Sequence, residues 1–229
     1  TGEGHRGGLR ARLPQPSARL ETPADPNMPP LARWNELVDP LGDELRPDPD
    51  PWRWVSRRTG RAPRPRSWPR GSAPTSRYLR VIEYRPGIDW VPGRARDLNE
   101  TWKPVGWAST VGGGPAKQLK DPLAENGLVL PSGEPERGQI ASPTVQDAAA
   151  YTAVLLNRVR VGTLRHAGQD SLTKAWKVAR TKPVGDSFVL DRKAGNIVTL
   201  NAARQALYAL ETRKHLAVDD DYDVADSFG

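Results

Sequence analysis

Hydrophobic and polar positions first alternate regularly at Tyr78, where YLRVIEY predicts a strand stopped by Arg85-Pro86-Gly87. Ile88 to Trp102 predicts a helix, with Pro92 and Gly93 near its start. Val105 to Ala108 is a short apolar run that suits a buried strand. Pro115 to Asn126 predicts a helix stopped by Gly127 in the left-handed region, and GLVL at 127–130 a further strand. Three more strongly periodic segments follow. Ser142 is read as a cap and Pro143 as the first position of a helix whose stripe holds Val145, Ala149, Thr152, Leu156 and Val159. Gln169 to Thr181 carries Leu172, Ala175, Trp176 and Ala179 at helical spacing. A last helix, from about Thr199, carries Leu200, Ala203, Leu207 and Leu210, with Arg213, Lys214 and His215 at the negative pole of its dipole. Between these last two, DSFVLDRK predicts a strand. Strands alternating with helices predict an α/β domain over 78–216.

Upstream the pattern is lost. Residues 1–30 carry no helical or strand period and predict disorder, and the segment to residue 50 holds one short helix near 31–38, with Leu31, Trp34 and Val38 on one face. The Arg-, Pro- and Trp-rich segment 51–77 predicts irregular structure, because Pro63, Pro65, Pro69 and Pro74 each fix φ and remove a donor. The net charge of +7 resides there. From Trp52 to Tyr78 the chain has eight arginines and no carboxylate, and without them the remaining charge is about −1. Residues 217–229 form an acidic tail, read as solvated. The absence of cysteine excludes disulfides and thiolate metal sites and fits a reducing compartment. No apolar run is long enough for a membrane span and no apolar leader precedes the domain, so a soluble, cytoplasmic protein is expected.

The candidate chemistry is sparse. GGGPAK at 112–117 lacks the spacing and the Ser or Thr of a nucleotide-binding P-loop, and reads as a tight strand-to-helix turn. His5, His166 and His215 lie too far apart for metal-ligand spacing and read as surface or packing residues. No nucleophile elbow is present. Asp186 and Asp191 flank the DSFVLDRK strand and could serve a hard cation.

Several blocks in order resemble one family. VIEYRPGIDWVPGRARDLNETWKPV, GGGPAKQLKDPLAENGLVL, RVGTLRHAGQDSLTKAW and KPVGDSFVLDRKAGNIVTLNAARQALYALETR are similar to segments of the C-terminal nuclease domain of phage and prophage terminase large subunits, especially those of actinobacterial phages. The resemblance covers 78–216 and implies an RNase H-like mixed sheet with flanking helices. It implies cleavage of concatemeric double-stranded DNA by carboxylates holding two Mg²⁺ or Mn²⁺ ions, because paired hard cations activate water and stabilise the leaving oxygen. By the same resemblance the partners are double-stranded DNA, the terminase small subunit and the portal, in the cytoplasm of a bacterial host. DNA contacts are implied at Lys117, Arg165 and His166.

The chain departs from that pattern at the acidic positions. The first aspartate belongs on a strand before Tyr78, where the Arg/Pro-rich stretch stands; the second falls at Val111, beside Ser109 and Thr110. The third falls at Asn196, a neutral oxygen donor, leaving Asp186 and Asp191 as substitutes. With GC-rich codons, a two-nucleotide frame shift would restore an aspartate near Val111, which fits a frame-disrupted gene. The expectation is a truncated or frame-disrupted nuclease domain with an impaired metal site and no ATPase motif. The alternative is a non-catalytic module that binds DNA or a packaging partner.

Overall fold

The computed structural model describes residues 25–39, 77–111 and 114–217. The expectations for 1–24, for most of the Arg/Pro/Trp-rich segment and for the acidic tail beyond Ala217 lie outside the described residues. A short helix α1 (Leu31–Asn35) precedes strand β1 (Arg77–Leu79) and helix α2 (Val91–Trp102). Strand β2 (Trp107–Ala108) leads to a 3₁₀ turn at Gly114–Leu119 that runs into α3 (Lys120–Glu125). Strand β3 (Ile140–Ala141), α4 (Val145–Val161), β4 (Leu164–His166) and α5 (Asp170–Val178) come next. The hairpin β5 (Thr181–Val184) and β6 (Ser187–Leu190), then α6 (Val198–Arg213) and a 3₁₀ turn at Lys214–Leu216, complete the order. The chain is a mixed helix-and-strand protein, as its periodicity predicts.

Its described strands pair two by two. β1 lies parallel to β4, and β2 parallel to β3, whereas β5 and β6 are antiparallel. Val38 adds a parallel bridge to His166, so β4 lies between Val38 and β1. No single mixed sheet joins all three pairs among the described residues.

Local chemistry explains the shifts in boundary. YLRVIEY pairs only as far as Leu79, because β4 runs out at His166 and the chain turns away at Gly168, whose φ of +69° favours glycine. Beyond that point the Gln169 side chain stands in for a strand: Val81 N–H donates to Oε1 at 2.6 Å and Nε2 donates to Val81 O at 2.8 Å. Helix α4 starts two residues after the expected Pro143, because Thr144 rather than Ser142 is its cap. Thr144 and Asp147 form a reciprocal capping box, which leaves Ser142-Pro143 as a straight exit from β3. Val145, placed on the apolar stripe by period, is consequently 65% exposed. Gly127 does stop α3 in the left-handed region, at φ +80°. GLVL is not a paired strand, although Val129 O accepts from Ile140 N–H at 2.8 Å. β3, β4 and β5 have no counterpart among the expected strands; β3 and β4, of two and three residues, are too short to show a period.

Two apolar clusters hold the fold. The larger joins Trp34 and Leu37 to Leu155, Leu156 and Val159 of α4, Leu172 and Trp176 of α5, and Leu200 and Leu207 of α6. Residues 25–39 are therefore part of the folded unit, not a separate segment. Leu37 takes the place expected of Val38, because α1 ends at Asn35 and the chain is already extended where it meets His166. The smaller cluster contains Ala95, Val111, Leu123, Leu128 and Ile140.

Candidate functional site

In parallel α/β sheets, reactive groups gather beyond the carboxyl ends of the strands. Here that place lies past β2 and β3. Trp107 N–H donates to Gln139 O and Ser109 N–H to Ala141 O, both at 3.1 Å, so the two strands run side by side to the turn at 109–111. Trp107 Nε1 donates to Asn99 Oδ1 of α2 at 2.9 Å, which fixes the strand against that helix. The strand-to-helix turn is present as predicted, with Gly112 and Gly113 outside the described residues.

Val111 does not face an opening. It retains 1% of its surface and packs among Ala95, Leu123, Leu128 and Ile140. Ser109 and Thr110 beside it are half-buried. At the start of α4, the Asp147 carboxylate accepts from Thr144 N–H at 2.8 Å and from the Thr144 hydroxyl at 2.7 Å, and so serves the helix start.

Of the remaining proposed ligands, Asp191 and Asn196 bond to neighbouring segments of the chain. Asp186 is exposed in the Gly185-Asp186 turn of the hairpin. Asp191 follows the other end of β6; its Oδ1 accepts from Lys193 N–H at 3.1 Å. Five residue steps of strand separate the two, a span of about 16 Å, so they cannot share one ion. Asn196 donates from Nδ2 to the Tyr84 hydroxyl at 2.8 Å and accepts from Val198 N–H at 3.4 Å, which ties the start of α6 to the segment after β1. Among the described residues no three His, Asp or Glu side chains are grouped to hold a metal. This donor set does not fit a two-ion Mg²⁺ or Mn²⁺ centre.

The three proposed DNA contacts fall in different surroundings. Lys117 is exposed on the 3₁₀ turn, and Arg165 is half-buried on the face of β4 opposite its neighbours. His166 is fully buried and cannot reach a DNA strand. Gly168 N–H donates to its Nδ1 at 3.1 Å, which leaves the proton on Nε2 to donate to Trp34 O at 3.0 Å. The imidazole stacks on Trp34 at 4.0 Å, and Trp34 stacks in turn on Trp176 at 4.3 Å. Burial pushes the His166 pKa down, only partly opposed by the Trp34 carbonyl. The LRHAGQ segment is thus a structural junction: His166 holds the end of α1 and Gln169 holds the segment after β1.

Three charged residues of α6 have structural roles, and two of them, Glu211 and Arg204, had no part in the sequence reading. Glu211 Oε1 accepts from Arg77 Nη2 at 3.1 Å and Arg158 Nη2 at 2.8 Å, pinning β1 and α4 to the end of α6. Arg213, expected to serve the helix dipole, turns inward. It is 4% exposed and donates to Glu136 O at 3.2 Å and Ile140 O at 3.5 Å, thereby supporting β3. Arg204 is 7% exposed, on the face that carries Leu200, Ala203 and Leu207. Helical spacing could have found it, since residue 204 falls inside the apolar stripe. Comparisons with protein-family models, with curated proteins and with solved structures give no match for this chain.

Proposed function

We propose that residues 78–216 are a nuclease-type domain of the terminase large-subunit kind that binds double-stranded DNA and has lost metal-dependent cleavage. In this reading the parallel pairs β1/β4 and β2/β3 are parts of an RNase H-like sheet. The ordered sequence blocks support the assignment, and the strand–glycine turn–helix at 107–125 is compatible with it. The observation that carries the loss of cleavage is Val111: at the strand end where the resemblance asks for a carboxylate, the chain buries an isopropyl group in an apolar cluster. Two ions held close together need several anionic oxygens, and Asp186 and Asp191 stand at opposite ends of β6 while Asn196 is neutral and bonded to Tyr84.

Plasmid DNA incubated with the purified chain and Mn²⁺, with and without EDTA, tests the loss of cleavage. The expected outcome is no EDTA-sensitive nicking, and nicking abolished by EDTA would overturn it. Fluorescence anisotropy with a labelled duplex tests the DNA reading, with binding expected to weaken steeply as salt rises. No binding at low salt would remove DNA as the partner and leave a packaging protein, the small subunit or the portal, in its place.

A further inference from the structure

Residues 25–27 and the β5–β6 hairpin border an open cleft of about 710 Å³, away from the turn at Val111. Its floor is apolar. Pro183 and Phe188 are directly opposite each other in the hairpin, so strand alternation puts both on the same side. Phe188 also packs against the larger core cluster, which fixes that floor in place. Lys182, between Thr181 and Pro183, belongs to the opposite side and does not line the cleft.

A carboxylate stands at each end of this floor. Asp25 is tied to the start of β5: its Oδ2 accepts from Thr181 N–H and, at 2.9 Å, from the Thr181 hydroxyl. Its Oδ1 accepts from Asn27 N–H at 2.9 Å. Burial alone would raise the Asp25 pKa; the bonds from Thr181 and Asn27, with Arg180 nearby, outweigh it and hold the carboxyl below its usual range. Asp186 is exposed in the hairpin turn at the other end. Four residue steps lie between Thr181 and Gly185, which sets the two carboxylates on the order of 13 Å apart. Arg180 is the cation lining the cleft among the described residues, and its Nη1 donates to Ala179 O at 2.7 Å, just past the end of α5. Two carboxylates against one guanidinium leave the lining at −1, on a chain whose net charge is +7.

An apolar floor between two separated carboxylates is complementary to an apolar stem with a cation at each end. We propose that the cleft binds a linear aliphatic polyamine, its methylenes over Pro183 and Phe188 and its terminal ammonium groups at Asp25 and Asp186. A chain of spermidine's length reaches both carboxylates, whereas a four-carbon diamine reaches one at a time. The cleft needs neither DNA nor a metal, so it stands apart from the nuclease reading.

Calorimetric titration of the full chain at low salt, with spermidine and putrescine as probes, tests the site. Spermidine is expected to bind wild type roughly fivefold more tightly than putrescine does, because the longer amine gains a second ion pair. Asp186→Asn, an exposed change, is expected to bring spermidine down to the putrescine level, and Asp25→Asn to weaken both amines. Asp186→Asn keeps the test valid if Asp25→Asn fails to fold. No spermidine binding, equal affinities for the two amines in wild type, or unchanged spermidine binding in Asp186→Asn would each overturn the proposal. The last result would assign the amine to other carboxylates, such as the acidic run at 219–226.

Discussion

Around His166, each ring nitrogen has a hydrogen-bond partner and the rings of Trp34 and Trp176 continue the stack. Around Val111, four other buried apolar side chains close over a strand end where polar chemistry was expected. The two regions contain similar elements, a short parallel strand pair with helices against it. They differ in how polar residues are used. The first spends its histidine and glutamine on holding chain segments together. The second has placed hydrocarbon at its most enclosed position. A motif rich in functional residue types can therefore be structural, and a strand end in the right place can be chemically empty.

The comparison can be broken from its strongest side first. Trp34→Ala removes an indole that is 0% exposed and is expected to destabilise the domain by roughly 3–5 kcal/mol, measured by urea unfolding. A loss below about 1 kcal/mol would show that α1 is not integral to the core. Val111→Asp places an unpaired carboxylate in the smaller cluster and should cost about 3 kcal/mol at neutral pH. Adding Mn²⁺ is expected to leave that variant's melting temperature unchanged. Recovery with Mn²⁺ would mean that other ligands still converge there, and the loss of cleavage would have to be reconsidered. Gln169→Leu deletes both bonds to Val81 and should cost about 1–3 kcal/mol, with faster hydrogen exchange at Val81 as its local signature.

Acidification sharpens the contrast further. The His166 pKa is lower in the folded chain than in the unfolded one, so the unfolded state binds more protons as pH falls below about 6.5. Stability from the neutral, buried ring is complete above that pH and declines below it. Urea midpoints at a series of pH values should show this decline, and His166→Phe should remove its share. An unchanged pH profile in that variant would place the acid sensitivity elsewhere. Smallest of all, Asp186→Asn at the hairpin turn is expected to change stability by no more than about 0.5 kcal/mol and to leave Mn²⁺ binding unaltered.

The long periodic helices were legible in the sequence because burial repeats along them: Leu156 and Val159, Leu172 and Trp176, Leu200 and Leu207 all point inward as spaced. β3 and β4 were not, since two- and three-residue strands carry no period and are defined by partners far away in the chain. The start of α4 was missed because two candidate caps lie two residues apart, and only the reciprocal bonds of Thr144 and Asp147 decide between them. Of the candidate site, the strand-to-helix turn at Val111 was readable and its closure was not. Whether a valine faces a cleft or a core depends on Leu123, Leu128 and Ile140, which approach from other elements. His166 was open to either reading until its two ring bonds were placed.

The position of β4 has a further consequence for how the chain comes together. Its partners come earlier: His166 bonds to a residue 132 positions before it, and Gln169 to one 88 positions before it. During synthesis the segments at Val38 and Leu79 therefore wait with open edges until residue 169 has emerged. Contacts this distant make folding slow, and waiting edges are where chains associate with one another. Gln169, by closing the strand just beyond the last backbone pair, acts at the end of that wait as the latch.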